Sequence, residues 1–279
     1  MTAVVVGANG QLGRALRLRF PDAVALDRAA LDVSDAAAVR SHDWSGVDVV
    51  LNAAAYTAVD AAEDPANLAA VRGANVDAVA HLAEAAQRHG FTLVHVSSEY
   101  VYDGRHEGPI PEDLAPSPLS VYGQSKADGD VEAARADRHY IVRTTWVVGE
   151  GGNFVRTMAS LADRGVSPSV VGDQIGRPTF TADLAGGIAH LLGTGAPFGT
   201  YNLTCDGEPA SWAEVARAVY EARGRSADDV TAVTTAEYFA DKPSAAVRPL
   251  NSVLDLSKIQ ATGFRPRDWR TALAEYLGA

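Results

Sequence analysis

Three short stretches of this sequence place reactive groups at spacings that matter for chemistry. In Tyr122-Gly123-Gln124-Ser125-Lys126 a phenol and an ammonium stand four residues apart, so on a helix they share one face. The ammonium is expected to draw the phenol from about 10 toward about 7, a difference of about 4 kcal/mol, and so to make Tyr122 an acid–base group. Ser97-Ser98-Glu99 closes an apolar run, and a hydroxyl such as that of Ser98 at a strand end can orient a carbonyl. Near the N-terminus, Gly7-Ala8-Asn9-Gly10-Gln11-Leu12-Gly13 follows an apolar run directly and opens an amphipathic stretch. Its glycines permit a tight turn, close approach to a pyrophosphate and tight helix packing, and the helix start at Gln11 and Leu12 offers N–H donors to the anion. A side chain at Gly10 would fill the pyrophosphate's space and oppose a positive φ there. Asp27 lies 20 residues beyond Gly7, the spacing of a ribose-binding carboxylate, which completes a dinucleotide fingerprint. Arg28 beside it could receive a 2′-phosphate, so NADPH and NADH both remain open. Asp32 and Val33 stand where the adenine would lie, with helix capping as the other use for Asp32.

These groups need a scaffold that brings strand ends and helix starts together. Apolar runs at 3–6, 23–26, 48–51, 92–96 and 140–142 alternate with helical patterns such as 74–88. Short, fully apolar strands separated by helices imply an α/β fold, a doubly wound parallel sheet of Rossmann-like type. After about residue 143 the rhythm gives way to Gly-, Pro- and Asn-bearing loops, the composition of a smaller, interwoven C-terminal substrate lobe. The expected division is a dinucleotide-binding domain over 1–145, completed by 180–204, and a second lobe from 146–179 and 205–279. Helical patterns at 181–192, 211–222 and 268–277 open with Thr181, Ser211 and Asp268, whose oxygens can cap backbone N–H groups.

The chain has 279 residues, 47% hydrophobic and 21% charged, enough for a buried core without disulfide or metal staples. Lys plus Arg number 24 and Asp plus Glu 35, giving −11, which disfavours nucleic acid and anionic membrane as partners. An anionic ligand must then be held by a local set of Arg, Lys or N–H groups. The one cysteine, Cys205, reads as a core residue, and the seven histidines lack zinc spacing. No secretory or membrane-spanning stretch is apparent, so a cytoplasmic enzyme is expected.

Glycine turn, Tyr-x-x-x-Lys and strand-end hydroxyl together resemble the extended short-chain dehydrogenase/reductase superfamily. A narrower resemblance rests on Asn52-Ala53-Ala54-Ala55-Tyr56-Thr57-Ala58-Val59-Asp60-Ala61-Ala62-Glu63, on Asp173-Gln174-Ile175-Gly176-Arg177-Pro178-Thr179 and on Arg248-Pro249-Leu250-Asn251-Ser252-Val253-Leu254-Asp255. With Asn153-Phe154-Val155 and Trp269-Arg270, these blocks are similar to the signatures of dTDP-4-dehydrorhamnose reductases. The resemblance implies Tyr122 as proton donor, Lys126 as its partner and ribose clamp, and Ser98 where the family usually has Thr. It implies a cofactor groove lined by Ala53, Ala54, Ala55 and Thr57. Substrate would meet Glu99, in place of the family's Asp, with Trp146 and Asn153, while Arg177 and Arg248 would face a diphosphate. A Glu that helps some members bind Mg²⁺ is Ala15 here, so no metal is expected. Tyr100 stands where related dehydratases carry a carboxylate base, which disfavours dehydration. The implied activity is reduction of a dTDP-4-keto-6-deoxyhexose by a monomer or homodimer. A reductase of a secondary-metabolite deoxysugar, or a non-catalytic dinucleotide-binding subunit, are the alternatives.

Overall fold

The computed structural model describes residues 1–278. Strands β1 (Ala3–Val6), β2 (Val24–Leu26), β3 (Val49–Asn52), β4 (Thr92–Ser98) and β5 (His139–Thr144) form the first half, with β6 (Val147–Val148), β7 (Ser169–Val171), β8 (Ile175–Gly176), β9 (Thr179–Phe180), β10 (Gly199–Asn202), β11 (Ala210–Ser211) and β12 (Thr231–Val233) beyond them. The helices are α1 (Gln11–Arg19), α2 (Ala36–Ser41), α3 (Leu68–Arg72), α4 (Ala78–His89), α5 (Val121–Ala133), α6 (Phe154–Asp163), α7 (Thr181–Thr194), α8 (Trp212–Ala222), α9 (Thr235–Tyr238), α10 (Ser257–Ala261) and α11 (Trp269–Leu277).

Six strands pair in the order β10-β5-β4-β3-β1-β2, all parallel. β1 and β3 are buried along their whole length because helices cover both faces, which is why they read as unbroken apolar runs. On one face Leu12 and Leu16 of α1 pack with Leu184, Ile188 and Leu191 of α7 against β1, β3 and β5. On the other, Trp44 and Phe91 join Val79 and Leu82 of α4. From β1 the chain turns to β2 on one side and crosses back to β3 on the other. That reversal opens a crevice at the C-terminal strand ends, where open α/β sheets bind ligands.

The short strands β6–β9, β11 and β12, with α6, α8 and α11, enclose a separate buried cluster around Val155, Met158, Val219, Tyr220 and Trp269. The segment after this region's first half returns to the large sheet, since α7 leads into β10 beside β5. Ser211 closes a capping box on α8, and Asp268 accepts from Arg270 N and Thr271 N at the start of α11. Thr181 departs from the expected pattern. Residue Phe180 is the N-cap of α7 and no side chain caps that helix, because Thr181 is already its first helical residue.

Candidate active site

The glycine turn fits a phosphate cradle, with the roles of its glycines redistributed. Gly7 carries the positive φ (+73°), and a Cβ there would lie 2.6 Å from Ala54 N. Gly10, expected to need positive φ, instead has φ −70° and is the N-cap of α1, with its Cβ position open apart from Gly7 O at 3.3 Å. At Gly13 a Cβ would collide with Gly7 O and the Ala8 backbone, so this glycine serves helix packing. No side chain caps α1 and no acidic residue stands in its first turn, leaving its first N–H groups free for an anion.

A cleft of about 560 Å³ runs from this turn past the ends of β1 and β3. Gly7, Asn9, Gly10, Asp27, Arg28, Asp32, Val33, Ala53, Ala54 and Ala55 line it. Six other expected cofactor residues do not, Tyr122 and Lys126 on α5 among them. Leu12 and Gly13 are buried behind the turn, Gln11 donates to Gly152 O (3.3 Å), and Thr57 is exposed outside the wall. Ser34, Tyr56, Ala69, Ala70, Gly73 and Ala74 complete the wall unforeseen. The signal for the last four was a run of small residues at helical spacing. Asp27 accepts from Asn9 Nδ2 (2.9 Å) and from Ala29 N and Ala30 N, which fixes its carboxylate at the rim. Asp32 holds Ser34 and pairs with Arg28 (3.1 Å), and hydrogen bonding to Ser34 keeps its carboxyl below the usual range. Capping of α2 falls to Asp35 rather than to Asp32.

Tyr122 and Lys126 stand one turn apart on α5, both buried. Ser120 caps the helix through Gly123 N, and Glu63 Oε1 accepts from Val121 N (2.8 Å), so the phenol enters on a fixed first turn. A Cβ on Gly123 would strike Tyr100 O, which shows how closely α5 presses on the segment after β4. Lys126 Nζ donates to Val96 O (2.8 Å). Ser98 Oγ donates to Glu99 Oε2 (2.7 Å), and the Tyr100 ring meets Tyr122 edge-on at 5.3 Å.

Electrostatics differ from the expectation that Lys126 lowers the phenol. Burial, reinforced by Glu99 and Tyr100, pushes Tyr122 well above its ordinary value, and only the Ser98 hydroxyl pulls it back. The ammonium is engaged with the Val96 carbonyl, and burial lowers it to about 8 against the opposing pull of Asp130. Burial likewise raises Glu99 to about 7. The phenol is therefore held protonated, the form a proton donor requires.

Across the crevice, Trp146 is the one non-glycine residue with positive φ (44°) among the described residues. Its indole stacks on Trp212 at 3.8 Å, and its carbonyl accepts from Thr179 N. Such a backbone costs on the order of 1–2 kcal/mol and persists where the surroundings over-determine it, commonly at functional sites. Arg248 grips Asp60 with two bonds (2.8 and 2.9 Å), donates to Ala246 O and covers the Phe239 ring. Its charge also reaches the Tyr100 phenol. Two expectations need correction. Asn153 caps α6 and ties Gly149 O to Tyr276, so its amide is consumed in holding a loop. Arg177 donates to Gly207 O (2.7 Å) and Leu254 O (3.3 Å) beside a cleft rimmed by Asp206, Glu208 and Asp268, carboxylates that would repel a diphosphate. Asp60, Glu63, Tyr100, Trp212 and Phe239 were missed as neighbours of the site, although Asp60 and Glu63 lie inside the 52–63 block.

A phenol and a lysine buried on α5 against the C-terminal part of β4, in a parallel sheet whose first strand runs into a glycine turn, match the arrangement expected of an extended short-chain dehydrogenase/reductase. The family model described as the RmlD substrate binding domain matches residues 1–279. The dTDP-4-dehydrorhamnose reductase of Aggregatibacter actinomycetemcomitans is 41% identical over 97% of this chain and 96% of its own length. Among solved structures, the dTDP-4-dehydrorhamnose reductase of Clostridium acetobutylicum superposes with a TM-score of 0.91 at 34% identity, covering 100% and 99% of the two chains. That of Bacillus anthracis, in complex with NADP, gives 0.90 at 31%, also over 100% and 99%. The chain belongs to the dTDP-4-dehydrorhamnose reductase family.

Proposed function

We propose that this chain reduces the C4 ketone of a dTDP-4-keto-6-deoxy-L-hexose, converting dTDP-4-dehydrorhamnose to dTDP-L-rhamnose with NADPH or NADH. The observation that carries this reading is the buried Tyr122–Lys126 pair beside Ser98 at the sheet's C-terminal edge. The cleft fits a dinucleotide because Gly7 and Gly10 leave backbone bare at the uncapped start of α1 and Asp27 stands at the rim. When bound, the nicotinamide supplies the hydride that adds to C4 of the sugar. Tyr122 gives its proton to the oxygen that becomes an alkoxide, and Lys126 clamps the ribose and offsets the phenolate left behind. Ser98 orients the same oxygen. With Glu99 protonated, its O–H can donate to Ser98 Oγ and free the serine proton for the substrate.

The division of labour we propose follows the two largest substructures in outline, with Leu256 and Ile259 crossing to the large-sheet cluster and Phe180 to the smaller one. Residues 1–145 with 180–204 hold the dinucleotide, and 146–179 with 205–279 hold the sugar nucleotide, through Trp146 and Arg248. All the groups invoked come from one chain, so a monomer or a homodimer suffices. No helix among the described residues is long and apolar enough to cross a membrane, and we place the activity in the cytoplasm. Incubation with dTDP-4-dehydrorhamnose and NADPH should consume the cofactor and yield a product whose C4 configuration, read by NMR, is that of L-rhamnose. Absence of NADPH oxidation with this substrate would overturn the reading, and the opposite C4 configuration would move the enzyme to another deoxysugar.

A further inference from the structure

Beneath the Tyr122–Lys126 pair lies a buried charge cluster that the reaction as written does not use. Lys126, one of three lysines in the chain, is 2% exposed and has a single carbonyl, Val96 O, as its protein acceptor. A buried ammonium is tolerated only with an opposite charge nearby. Asp130 stands one helical turn further along the same face of α5, 5% exposed. Its Oδ2 accepts from Arg143 Nε of β5 at 3.0 Å. Its Oδ1 is buried with no protein hydrogen bond, 3.9 Å from His95 Nε2 on β4, too long for a direct bond. His95 Nδ1 accepts from Asn52 Nδ2, so the imidazole carries its proton on Nε2. Burial and the Lys126 charge keep it neutral, well below 6.5.

The charges facing one another here are few. Arg143 also donates to the Tyr102 hydroxyl (2.5 Å) and to Glu112 O, while the Glu99 carboxyl acts on Tyr122, one turn before Lys126 on α5. Lys126 and Arg143 supply two positive charges, Asp130 one negative and His95 none. The carboxylate oxygen that Arg143 does not hold lies toward His95, with the Ser97 hydroxyl and the Lys126 charge both near enough to favour the ionised carboxylate.

We propose that Asp130 is a positioning residue for the proton-donating pair: shared between Arg143 and Lys126, its carboxylate is the buried counter-charge that keeps Lys126 an ammonium seated on Val96 O. This rests on the reading of Tyr122 and Lys126 as the catalytic pair. In that role the ammonium must stay charged to hold a ribose and to offset a phenolate. Without Asp130, two cations would share the interior with no anion between them, and Lys126, unlike Arg143, can relieve this by losing its proton.

Three lysines make a direct test practical. With lysine labelled with ¹³C at Cε, the pH titration of each ammonium can be followed by NMR in the full chain. Asp130→Asn keeps an acceptor for Arg143 and removes the charge. It should lower the midpoint of Lys126 by about one pH unit, with Lys242 and Lys258 unmoved. The alkaline limb of kcat/KM should move down with it, which loss of packing alone would not cause. An unchanged Lys126 midpoint overturns the proposal. If Asp130→Asn does not fold, Asp130→Glu carries the test: displacing the carboxylate by one methylene should move Lys126 alone by several tenths of a pH unit, and no movement overturns the proposal equally. The titration needs no turnover, so it is read whether or not the chain proves to be a reductase.

Discussion

Along the cofactor cleft much of the wall is made of residues with little or no side chain, Gly7, Gly10, Ala53, Ala54, Ala69 and Gly73 among them, with Asp27, Arg28 and Asp32 at the rim. Beyond this cleft, the long residues expected to meet substrate are Trp146, Arg177 and Arg248, of which Arg177 stands beside an acidic cleft of its own. The guanidinium groups are already engaged within the protein, Arg248 with Asp60 and Arg177 with two carbonyls, and the Trp146 indole is stacked on Trp212. The Gly and Ala part of the first wall recognises by what it leaves bare and has no side-chain contacts to give up when a ligand arrives. Ligand binding on the second side competes with contacts inside the protein, which sets a lower ceiling on what any one side chain there contributes.

The largest effect is expected at the boundary between the two. Tyr122→Phe should lower kcat by about 10²- to 10⁴-fold with the Kd for NADPH little changed, because only the proton donor is lost. Steady-state kinetics and fluorescence titration would read both, and undiminished turnover would remove Tyr122 from the mechanism. Within the bare wall, Gly7→Ala should destabilise by about 3 kcal/mol and abolish NADPH binding, since the new Cβ meets backbone and the φ is left-handed. Gly10→Ala should weaken NADPH binding while leaving the unfolding free energy within about 1 kcal/mol. Equal destabilisation by the two substitutions would contradict the roles given to these glycines.

Glu99 gives the comparison a pH axis. Its folded pKa of about 7 exceeds the 4.5 of an unperturbed glutamate, so its protonated form is favoured by folding. Stability from this group is full below about pH 4.5 and is lost as pH rises through 7, about 3 kcal/mol in all. Denaturant unfolding of Glu99→Gln between pH 5 and 8 should be flatter than that of the unsubstituted chain by an amount of this order. A smaller effect is expected from Arg248→Ala, which should raise KM for the dTDP-sugar about 10-fold, with Lys recovering only part because it cannot make the two-pronged contact. A normal KM would leave Arg248 as a lobe tie to Asp60. Smallest is Arg28→Ala: its side chain is 86% exposed, and kcat/KM for NADPH should fall about 5-fold with NADH unaffected. An equal loss for both cofactors would show that Arg28 does not read a 2′-phosphate.

The same contrast explains what could be read from the sequence. The glycine turn and the Tyr122–Lys126 face were legible because each lies within one local element, where spacing dictates geometry. The central strands β1 and β3 were legible because burial on both faces leaves an almost unbroken apolar run, whereas β10 (Gly199–Asn202) carries no such signal. Asn153 and Arg177 were visible as members of characteristic blocks, but their use was not. The Asn153 partner Tyr276 lies 123 residues away, and Gly207 O is 30 residues from Arg177. The phenol's shift depended on how tightly α5 packs against Glu99 and Tyr100, which no spacing encodes. Thr181 shows the limit for caps, since a one-residue offset in where α7 begins turned a capping residue into a helical one.

The position of β10 bears on how the chain is made as well as on what it does. Synthesis runs from the N-terminus, and β5 acquires its second neighbour only when residues 199–202 emerge, after the strands β6–β9 have been produced. Until then the outer flank of β5 is an open hydrogen-bonding edge, and the apolar face of α1 lacks α7. The nascent sheet therefore waits, incomplete, for a strand encoded after the segment that holds β6–β9. A fragment ending at residue 145 would lack β10 and keep that edge of β5 open.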